Sequence, residues 1–407
     1  MLKIALRRES CKMRNYRVYR KFILLCLVLS LSVLSGCAPL CRSVKNEERF
    51  SPSFESEGRD VEVYGWLLEL QLPNGLLEST KNSNFVSLYE NALAAIVFSV
   101  EGDFERAELI FDFFTQRIEC EMMVSPGGFG QFRDRDGFPP DGKPHRWLGD
   151  NAWLLIAINN YHRLAGNNKY EKLKCVLEEW IVSLKDEADG GIWGGYDQDG
   201  KRILKSTEGA IDAFNAVNGY SGFHKDILGF LKTQYWQSQT KSFLAWKEHE
   251  KYKYALDLHS WGYCAFKDMP LELLNNADQY RITKIAAVNN QNITGFCFDL
   301  DLDTIWLEGT GEMVVAYRTA GLNFMAEYYI RELEKMIISV SGNPKRGGIP
   351  YTTNKGTHYG EGNLWNGVET NPNVAASSWY LLGKWGYDPM EYGREKDIPR
   401  DDIFWIN

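Results

Sequence analysis

The sequence predicts an all-α fold in which an inner ring of helices is wrapped by an outer one. Three observations predict it: a repeated helix opening, two alternating kinds of helical segment, and few strand signals. The opening is an acidic or amide residue before a run of small and apolar residues, and it occurs at Glu90, Asp150, Glu208, Asp257, Glu308 and Asn373. The separations of 60, 58, 49, 51 and 65 residues are too long for one helix and fit a repeating pair of helices.

The segments that follow the openings are apolar or small on nearly every side. Ala92–Val100, Ala152–Tyr161 and Met313–Ala320 show this profile, which is typical of helices buried all round. Between them lie segments with one apolar stripe, such as Asp103–Cys120 and Tyr170–Leu184. The alternation predicts buried inner helices and amphipathic outer ones. Because the β-branched runs of a sheet do not appear, we expect no large sheet.

The alternating segments predict one outer helix fewer than a closed ring needs. Further outer helices are predicted over Gly222–Tyr235, from near Leu271, and over Asn323–Val340. After the last inner segment, near Asn373–Lys384, only 23 residues remain, and they contain many charges. The helical pattern of Val61–Leu72 precedes the first inner helix, so we expect it to close the ring as the partner of the last one.

The first 36 residues have the pattern of a bacterial lipoprotein signal. A basic segment precedes the apolar stretch Phe22–Leu34, and Leu34-Ser35-Gly36 leads into Cys37. The stretch is short for a membrane span. We expect Cys37 to be the lipidated N-terminus, and Ala38 after it resembles lipoproteins sent to the outer membrane of the bacterial envelope. Residues 37–58 are predicted to be a tether, and residues 59–407 a single domain.

The net charge of the chain limits the classes of molecule that we expect it to bind. The first 36 residues carry eight Lys or Arg and one Glu, so their removal shifts the net charge from −8 to −15. Nucleic acids and polyanionic sugars favour a basic surface, and we therefore expect neither. A neutral carbohydrate is the expected substrate, and the lipid anchor is the expected contact with the membrane. We expect the protein to be a monomer.

Several motifs resemble those of a known superfamily over roughly residues 60–390. They are Tyr89-Glu90-Asn91, Gly149-Asp150-Asn151-Ala152-Trp153, Ser206-Thr207-Glu208, Trp306-Leu307-Glu308-Gly309-Thr310 and the Gly-Gly-aromatic turns. In this order and spacing the chain resembles the six-hairpin glycosidase-like superfamily, whose fold is the (α/α)6 toroid. The resemblance implies carbohydrate chemistry, although this toroid hosts hydrolases, lyases and epimerases. The chain departs from the family pattern at Glu90, where Asp is common, and at Gly209, where a larger polar residue is common.

Hydrolysis of a glycosidic bond needs a carboxylic acid to protonate the leaving oxygen and a second carboxylate to activate water or attack the sugar. Glu308 is our first choice for the acid, because Trp306 can desolvate it and Gly309 leaves room for a ligand. Glu208 or Asp150 is expected to be the base, and Asp257 is the fourth candidate. Singly, an acid at a helix start is more often a cap or a dipole partner. The repetition of these acids beside tryptophans favours a catalytic role for some of them.

Aromatic residues near the openings suit a saccharide cleft, because sugar rings stack on aromatic planes. The residues expected to bind substrate are Glu90, Trp147, Trp193, Trp306, Asp212, Tyr351 and Trp365. Trp153 and Trp261 fall inside inner helices and are expected to belong to the core. No metal site and no cofactor are expected, because the six histidines lack zinc-like spacing. Asp-rich stretches such as Asp299–Asp303 resemble only fragments of calcium loops.

The leading hypothesis is a lipid-anchored glycoside hydrolase that acts on a neutral oligo- or polysaccharide, with a glucan as first choice. The resemblance implies inversion at the anomeric carbon. A catalytically silent carbohydrate-binding lipoprotein is the second hypothesis, and a lyase or an epimerase on the same toroid is the third. A lyase acting on uronates would need Arg and Lys around its substrate. An epimerase would need paired bases, for which His259 and His358 are the visible candidates.

Overall fold

The computed structural model describes residues 58–247, 249–340 and 343–406. The predicted signal segment, the predicted lipidation site Cys37 and nearly all of the predicted tether lie outside the described residues. Within the described ranges, no helix has the length and apolar character needed to cross a membrane.

The helices alternate between an inner and an outer ring. In chain order they are α1 (Arg59–Leu70), α2 (Leu88–Glu101), α3 (Phe104–Thr115), α4 (Leu148–Ala165), α5 (Glu171–Ser183), α6 (Thr207–Ala216), α7 (Gly222–Phe230), α8 (Asp257–Ala265), α9 (Glu272–Asn276), α10 (Leu307–Thr319), α11 (Asn323–Glu334), α12 (Val374–Trp385) and the short α13 (Glu391–Arg394). Helices α2, α4, α6, α8, α10 and α12 contact one another in this order, and α12 contacts α2. The inner ring is therefore closed.

The inner helices are buried on nearly every side, as their sequences predict. In α4, the residues from Asp150 to Tyr161 are all buried, and in α10 those from Leu307 to Tyr317 are. The outer helices bury one stripe, as α3 does with Ala107, Ile110 and Phe111. This difference confirms the predicted two-ring arrangement.

Helix α1, the first helix of the described residues, completes the outer ring. It packs against α12, the last inner helix, and against the strand Asn343–Gly348. Trp66 of α1 is only 2% exposed and its ring lies over Gly348, where an added Cβ would come within 2.8 Å of it. The prediction that this segment closes the ring is confirmed.

The outer helices are shorter than predicted. Helix α7 ends at Phe230, and a π-helical turn, Leu231–Tyr235, completes the predicted segment. Helix α11 ends at Glu334, and Ile338–Val340 forms a strand instead of more helix. The outer helix near Leu271 is reduced to the five residues of α9.

Short strands connect the helices near the inner-helix starts. They are β1 (Val86–Ser87), β2 (Phe132–Arg133), β3 (Arg146–Trp147), β4 (Gly195–Tyr196), β5 (Trp236–Gln237), β6 (Ser242–Phe243), β7 (Arg281–Ile285), β8 (Asn292–Phe296), β9 (Ile338–Val340), β10 (Asn343–Gly348), β11 (His358–Tyr359) and β12 (Gly362–Asn363). They form antiparallel pairs, of which β7–β8 is the longest hairpin, with Arg281 opposite Phe296. The sequence analysis did not predict this hairpin. None of these pairs forms a layer of the fold, so it remains an all-α ring.

Residues outside the acidic set cap three of the inner helices. Ser206 Oγ accepts a hydrogen bond from Gly209 N at 3.1 Å, and Asn373 Oδ1 accepts one from Ala376 N at 2.9 Å. Ser87 Oγ accepts one from Glu90 N at 3.5 Å. Glu90 and Glu208 are therefore not the N-caps of their helices. The carboxyl groups of Glu90 and Glu208 are therefore not needed to cap these helices.

The C-terminal segment covers the opposite end of the ring. The side-chain amides of Asn160 and Asn215, near the ends of α4 and α6, donate to the carbonyls of Pro389 and Met390, each at 2.9 Å. Lys396 Nζ donates to Asn215 O at 3.2 Å. These hydrogen bonds attach the C-terminal segment to the ends of α4 and α6.

Candidate active site

A cavity of about 720 Å³ lies at the end of the ring where the inner helices begin. We call it the bowl. Seven carboxyl side chains line it, namely Glu90, Asp150, Glu208, Asp212, Asp257, Glu308 and Glu312. Among the described residues that line the bowl there is no Lys, Arg or His. The structure therefore brings together every acid that the sequence analysis selected, and it adds Glu312.

Asp150 and Glu308 face each other across the bowl. Asp150 is on the first turn of α4 and Glu308 on the first turn of α10. In a closed ring of six, α4 and α10 occupy opposite positions, with two inner helices between them on either side. The side chains are 8% and 5% exposed. A sugar bound in the bowl would thus have one of these acids on each side.

Burial gives these two acids raised but different pKa values. It raises the pKa of Glu308 to about 8; hydrogen bonds from Tyr89 and Trp306 oppose the rise, and the negative charges of Glu90 and Asp257 add to it. It raises the pKa of Asp150 to about 7, and backbone N–H groups and Gln131 oppose the rise. Gln131 Nε2 donates to Asp150 Oδ2 at 3.3 Å, which favours the ionised form. Near neutral pH Glu308 holds its proton more firmly than Asp150.

Asp257 and Glu208 form an electrostatically linked pair. Burial raises the pKa of Asp257 to about 7. Burial and then the charge of Asp257 raise the pKa of Glu208 well above its ordinary value. Glu208 is therefore a weaker choice of base than Asp150, because a base has to be ionised before it acts.

Asp212 and Glu312 lie one helical turn deeper than Glu208 and Glu308. They are only 2% and 1% exposed, and burial raises the pKa of each well above its ordinary value. Ser260 Oγ donates to Glu312 Oε2 at 2.9 Å. The sequence analysis missed Glu312, which follows Glu308 by four residues, the same spacing that separates Asp212 from Glu208.

Glu90 is held in a fixed position. Its Oε1 accepts hydrogen bonds from Tyr351 Oη at 2.8 Å and from Asn373 Nδ2 at 2.5 Å. Asn373 thus caps the last inner helix with its oxygen and orients Glu90 with its nitrogen. Although Glu90 lines the bowl, these bonds tie one of its oxygens to protein donors.

Three aromatic side chains form a stack on one wall of the bowl. The rings of Tyr351 and Trp365 are 5.1 Å apart and 18° from parallel, and those of Trp306 and Trp365 are 6.1 Å apart and 22° from parallel. Trp147 also lines the bowl. The sequence analysis expected all four to bind substrate, and the structure places all four at the bowl.

Phe85 and Phe132 add a pair of contacting rings, 4.7 Å apart, that the sequence analysis missed. Because the two residues are 47 positions apart, no local pattern links them. Trp153 and Trp261, expected in the core, contact each other at 5.3 Å and are almost fully buried. They also line the deep part of the bowl.

Trp193 does not reach the bowl, which corrects the expectation that it binds substrate. Its ring lies beneath two cations instead, with Lys205 Nζ at 4.5 Å and Arg202 Cζ at 5.2 Å from its centroid. Its neighbour Gly194 does line the bowl. The Gly-rich turn brings its backbone to the bowl and directs the Trp193 ring to the basic side chains.

The fold is the (α/α)6 toroid: within the described residues, six inner helices alternate with six outer helices, and a bowl of acids and aromatics lies where the inner helices begin. Solved structures of several carbohydrate-processing enzymes have a similar fold. A sugar epimerase from a ruminal bacterium has a TM-score of 0.53 and 14% identity, over 80% of this chain and 97% of its own. A cellobiose 2-epimerase from Bacillus thermoamylovorans has a TM-score of 0.58 and 10% identity, over 79% and 95%.

An α-amylase from Clostridium perfringens is also similar, with a TM-score of 0.56 and 10% identity over 82% of this chain and 99% of its own. These neighbours are members of the six-hairpin glycosidase-like superfamily, and the predicted toroid is confirmed. At these identities the likeness establishes the fold. No protein-family model matches the chain, and no curated protein matches it by sequence.

Proposed function

We propose that this protein is a glycoside hydrolase that acts on a glycan without negative charge. The observation that carries the proposal is the opposition of Asp150 and Glu308 across an aromatic-lined bowl. Neutral glucans, which the net charge favours, carry no negative charge. Glycans with amino groups carry none either, so both classes fit the proposal. The carbohydrate chemistry of the structural neighbours supports the substrate class.

In the proposed reaction the two acids have separate tasks. The Glu308 carboxyl transfers its proton to the glycosidic oxygen as the bond from that oxygen to the anomeric carbon breaks. The Asp150 carboxylate takes a proton from a water molecule, whose oxygen bonds to the anomeric carbon from the opposite face. One water is consumed for each bond broken. Acids on opposite helices of the ring support an inverting reaction, because inversion needs space for water between base and sugar.

The side chains that we expected for the two alternative reactions do not line the bowl. An epimerase was expected to use His259 and His358, but neither lines the bowl. His259 Nδ1 lies 2.7 Å from Leu273 O, and His358 Nδ1 lies 3.4 Å from Asp303. A lyase acting on uronates needs basic side chains, and the described lining residues contain none.

The test is a panel of oligosaccharides incubated with the wild-type protein, followed by reducing-end detection and by NMR of the first product. We expect new reducing ends, and a first product whose anomeric configuration is opposite to that of the cleaved bond. Retention of configuration would contradict the assignment of Asp150 as a base. An isomer of unchanged mass would identify an epimerase instead.

A further inference from the structure

Three tryptophan rings meet at the centre of the inner ring, below the first-turn acids. They are Trp153 of α4, Trp261 of α8 and Trp379 of α12, and these are alternate helices of the inner ring. The centroid of the Trp153 ring lies 5.3 Å from that of Trp261 and 5.6 Å from that of Trp379. None of the three side chains is more than 9% exposed. We call this group the floor, because it closes the deep end of the bowl.

The floor lies close beneath the acids of the proposed reaction. Trp153 follows Asp150 by three residues on α4, and Trp261 follows Asp257 by four residues on α8. Since a helix rises about 1.5 Å per residue, the floor begins about 5 Å below the level of the first-turn acids. This depth accommodates one sugar ring. A second sugar in line with the first would overlap the floor.

Backbone hydrogen bonds close the sides of the bowl at the level of the acids. At the start of each inner helix, a backbone N–H donates to a carbonyl in the segment that leads to the next inner helix, at 2.8–3.2 Å. The six donors are Leu88, Leu148, Thr207, Leu256, Leu307 and Val374. The five first-turn acids follow their donors by one or two residues. A glycan chain therefore cannot pass between the inner helices at this level, and it has to leave through the mouth beyond the helix starts.

Polar atoms near the floor suit the hydroxyl groups of a sugar. Trp261 Nε1 is a donor and Asp257 Oδ1 is an acceptor, and neither has a hydrogen-bond partner among the described residues. Both side chains line the bowl. A hydroxyl group can donate and accept, so the hydroxyl groups of a neutral sugar can serve atoms of both kinds.

We propose that the enzyme is exo-acting: one terminal sugar binds between the floor and the acid pair, and one sugar is removed at each cut. This inference rests on the proposed function and specifies which bond is broken. The scissile bond lies between Asp150 and Glu308, and the rest of the chain extends through the mouth. Water adds across that bond as in the proposed reaction. The products are one monosaccharide and a glycan that is shorter by one unit.

The first experiment follows the earliest products of the wild-type protein. The substrates are linear glucose tetramers with α-1,4, β-1,3 or β-1,4 linkages, and the products are separated by chromatography. We expect glucose and the trimer in equal amounts early in the reaction, without dimer, from every tetramer that is cleaved. Dimer among the earliest products would overturn the exo inference.

Binding to the Glu308→Gln variant, which should bind but not cleave, tests the closed bowl without catalysis. Each tetramer is titrated calorimetrically with free ends and with bulky groups attached to both terminal sugars. A tetramer with free ends should bind at least tenfold more tightly than its blocked form, because a terminal sugar has to enter the closed end of the bowl. Equal binding of the two forms would overturn the inference, as would absence of binding by every tetramer.

The Trp261→Ala substitution in the wild-type protein tests the floor itself. It removes an indole that lines the bowl, so dimer should appear among the earliest products. Trp193→Ala is the matched control, because it removes an indole outside the bowl and should leave the products unchanged. Thermal unfolding verifies that both variants are folded. Unchanged products from a folded Trp261→Ala protein would contradict the inference, and if this variant does not fold, the comparison of free and blocked tetramers decides.

The outcomes separate this inference from the proposed function. Early dimer from the wild-type protein would overturn exo action and leave the glycoside hydrolase standing. A preference of the Glu308→Gln variant for free ends, with no cleavage by the wild-type protein, would support the closed, end-binding bowl while contradicting the hydrolase.

Discussion

At the scale of the residue, Asp150 and Glu308 differ although both are buried acids on the first turn of an inner helix. Gln131 and backbone N–H groups donate hydrogen bonds to Asp150, whereas Glu308 lies near the charge of Asp257 in addition to that of Glu90, which raises the pKa of both acids. The pKa values of about 7 for Asp150 and about 8 for Glu308 fit the base and acid tasks that we propose for them.

Glu308→Gln and Asp150→Asn should each lower kcat at least ~100-fold, because general acid–base groups typically contribute 10²–10⁴-fold. Reducing-end assays on the best substrate measure this. Glu178→Gln, which removes a carboxyl outside the bowl, should retain near-full activity. If both bowl variants keep wild-type kcat, the assignment of the pair is wrong.

The pH profile of kcat/KM should be bell-shaped with its maximum between about 7 and about 8. Activity rises as Asp150 loses its proton near the lower value, and it falls as Glu308 loses its proton near the upper one. Removal of the acid in Glu308→Gln should abolish the alkaline limb of the residual activity. A profile that is flat between pH 6 and 9 would contradict these roles.

Single residues also show what the sequence could not indicate. Gly309 was expected to leave room for a ligand, but an added Cβ would come within 2.1 Å of the Trp306 ring. The space is thus occupied by a side chain from the previous turn. Trp193 is directed to Lys205 and Arg202, and Gln131 reaches Asp150 from a connecting segment. These contacts depend on tertiary packing that has no local sequence signal.

At the scale of the element, the inner helices were the most predictable part of the molecule. Helices such as α4 are apolar or small all round, and an acid in the first turn marks each start except that of α12. The hairpin β7–β8 was missed because its first strand, Arg281–Ile285, is mainly polar and its residues are exposed or half-buried. The predicted ends of the outer helices lay too far along the chain. The apolar periodicity that predicted them continues into π-helical turns and strands.

Trp66→Ala in α1 should destabilise the protein by about 3–5 kcal/mol, because it removes a buried aromatic from the helix that closes the ring. Urea unfolding measures the change. Val61→Ala is the control on the same helix, because Val61 is 48% exposed, and it should have little effect. A loss below 1 kcal/mol for Trp66→Ala would contradict the closing role of α1.

The acids of α10 should make stability fall as pH rises. Burial raises the pKa of Glu312 in the folded state, so between its unfolded and folded pKa values the folded state binds more protons. Stability is therefore lost through that window as the pH increases. Glu312→Gln should raise Tm by a few degrees at pH 8 and leave it nearly unchanged at pH 4. An equal shift at both pH values would show that the effect is not due to ionisation.

At the scale of the whole molecule, we propose that the toroid is held at the bacterial outer membrane by lipid on Cys37. The sequence pattern that ends at Cys37 supports this proposal. Cys37→Ala should move the protein from the detergent phase to the aqueous phase in detergent partitioning, with unchanged hydrolysis of soluble substrates. Cys41→Ala is the control and should leave the protein in the detergent phase.

The central claim is that the bowl uses water to break a glycosidic bond, and isotopic labelling tests it most directly. The wild-type protein is incubated in H₂¹⁸O with the oligosaccharide that gives the most reducing ends, and the products are analysed by mass spectrometry immediately. We predict one water gained for each bond broken, with ¹⁸O on the anomeric carbon of the new reducing end. A product of unchanged mass, or an unsaturated product without label, would contradict the account.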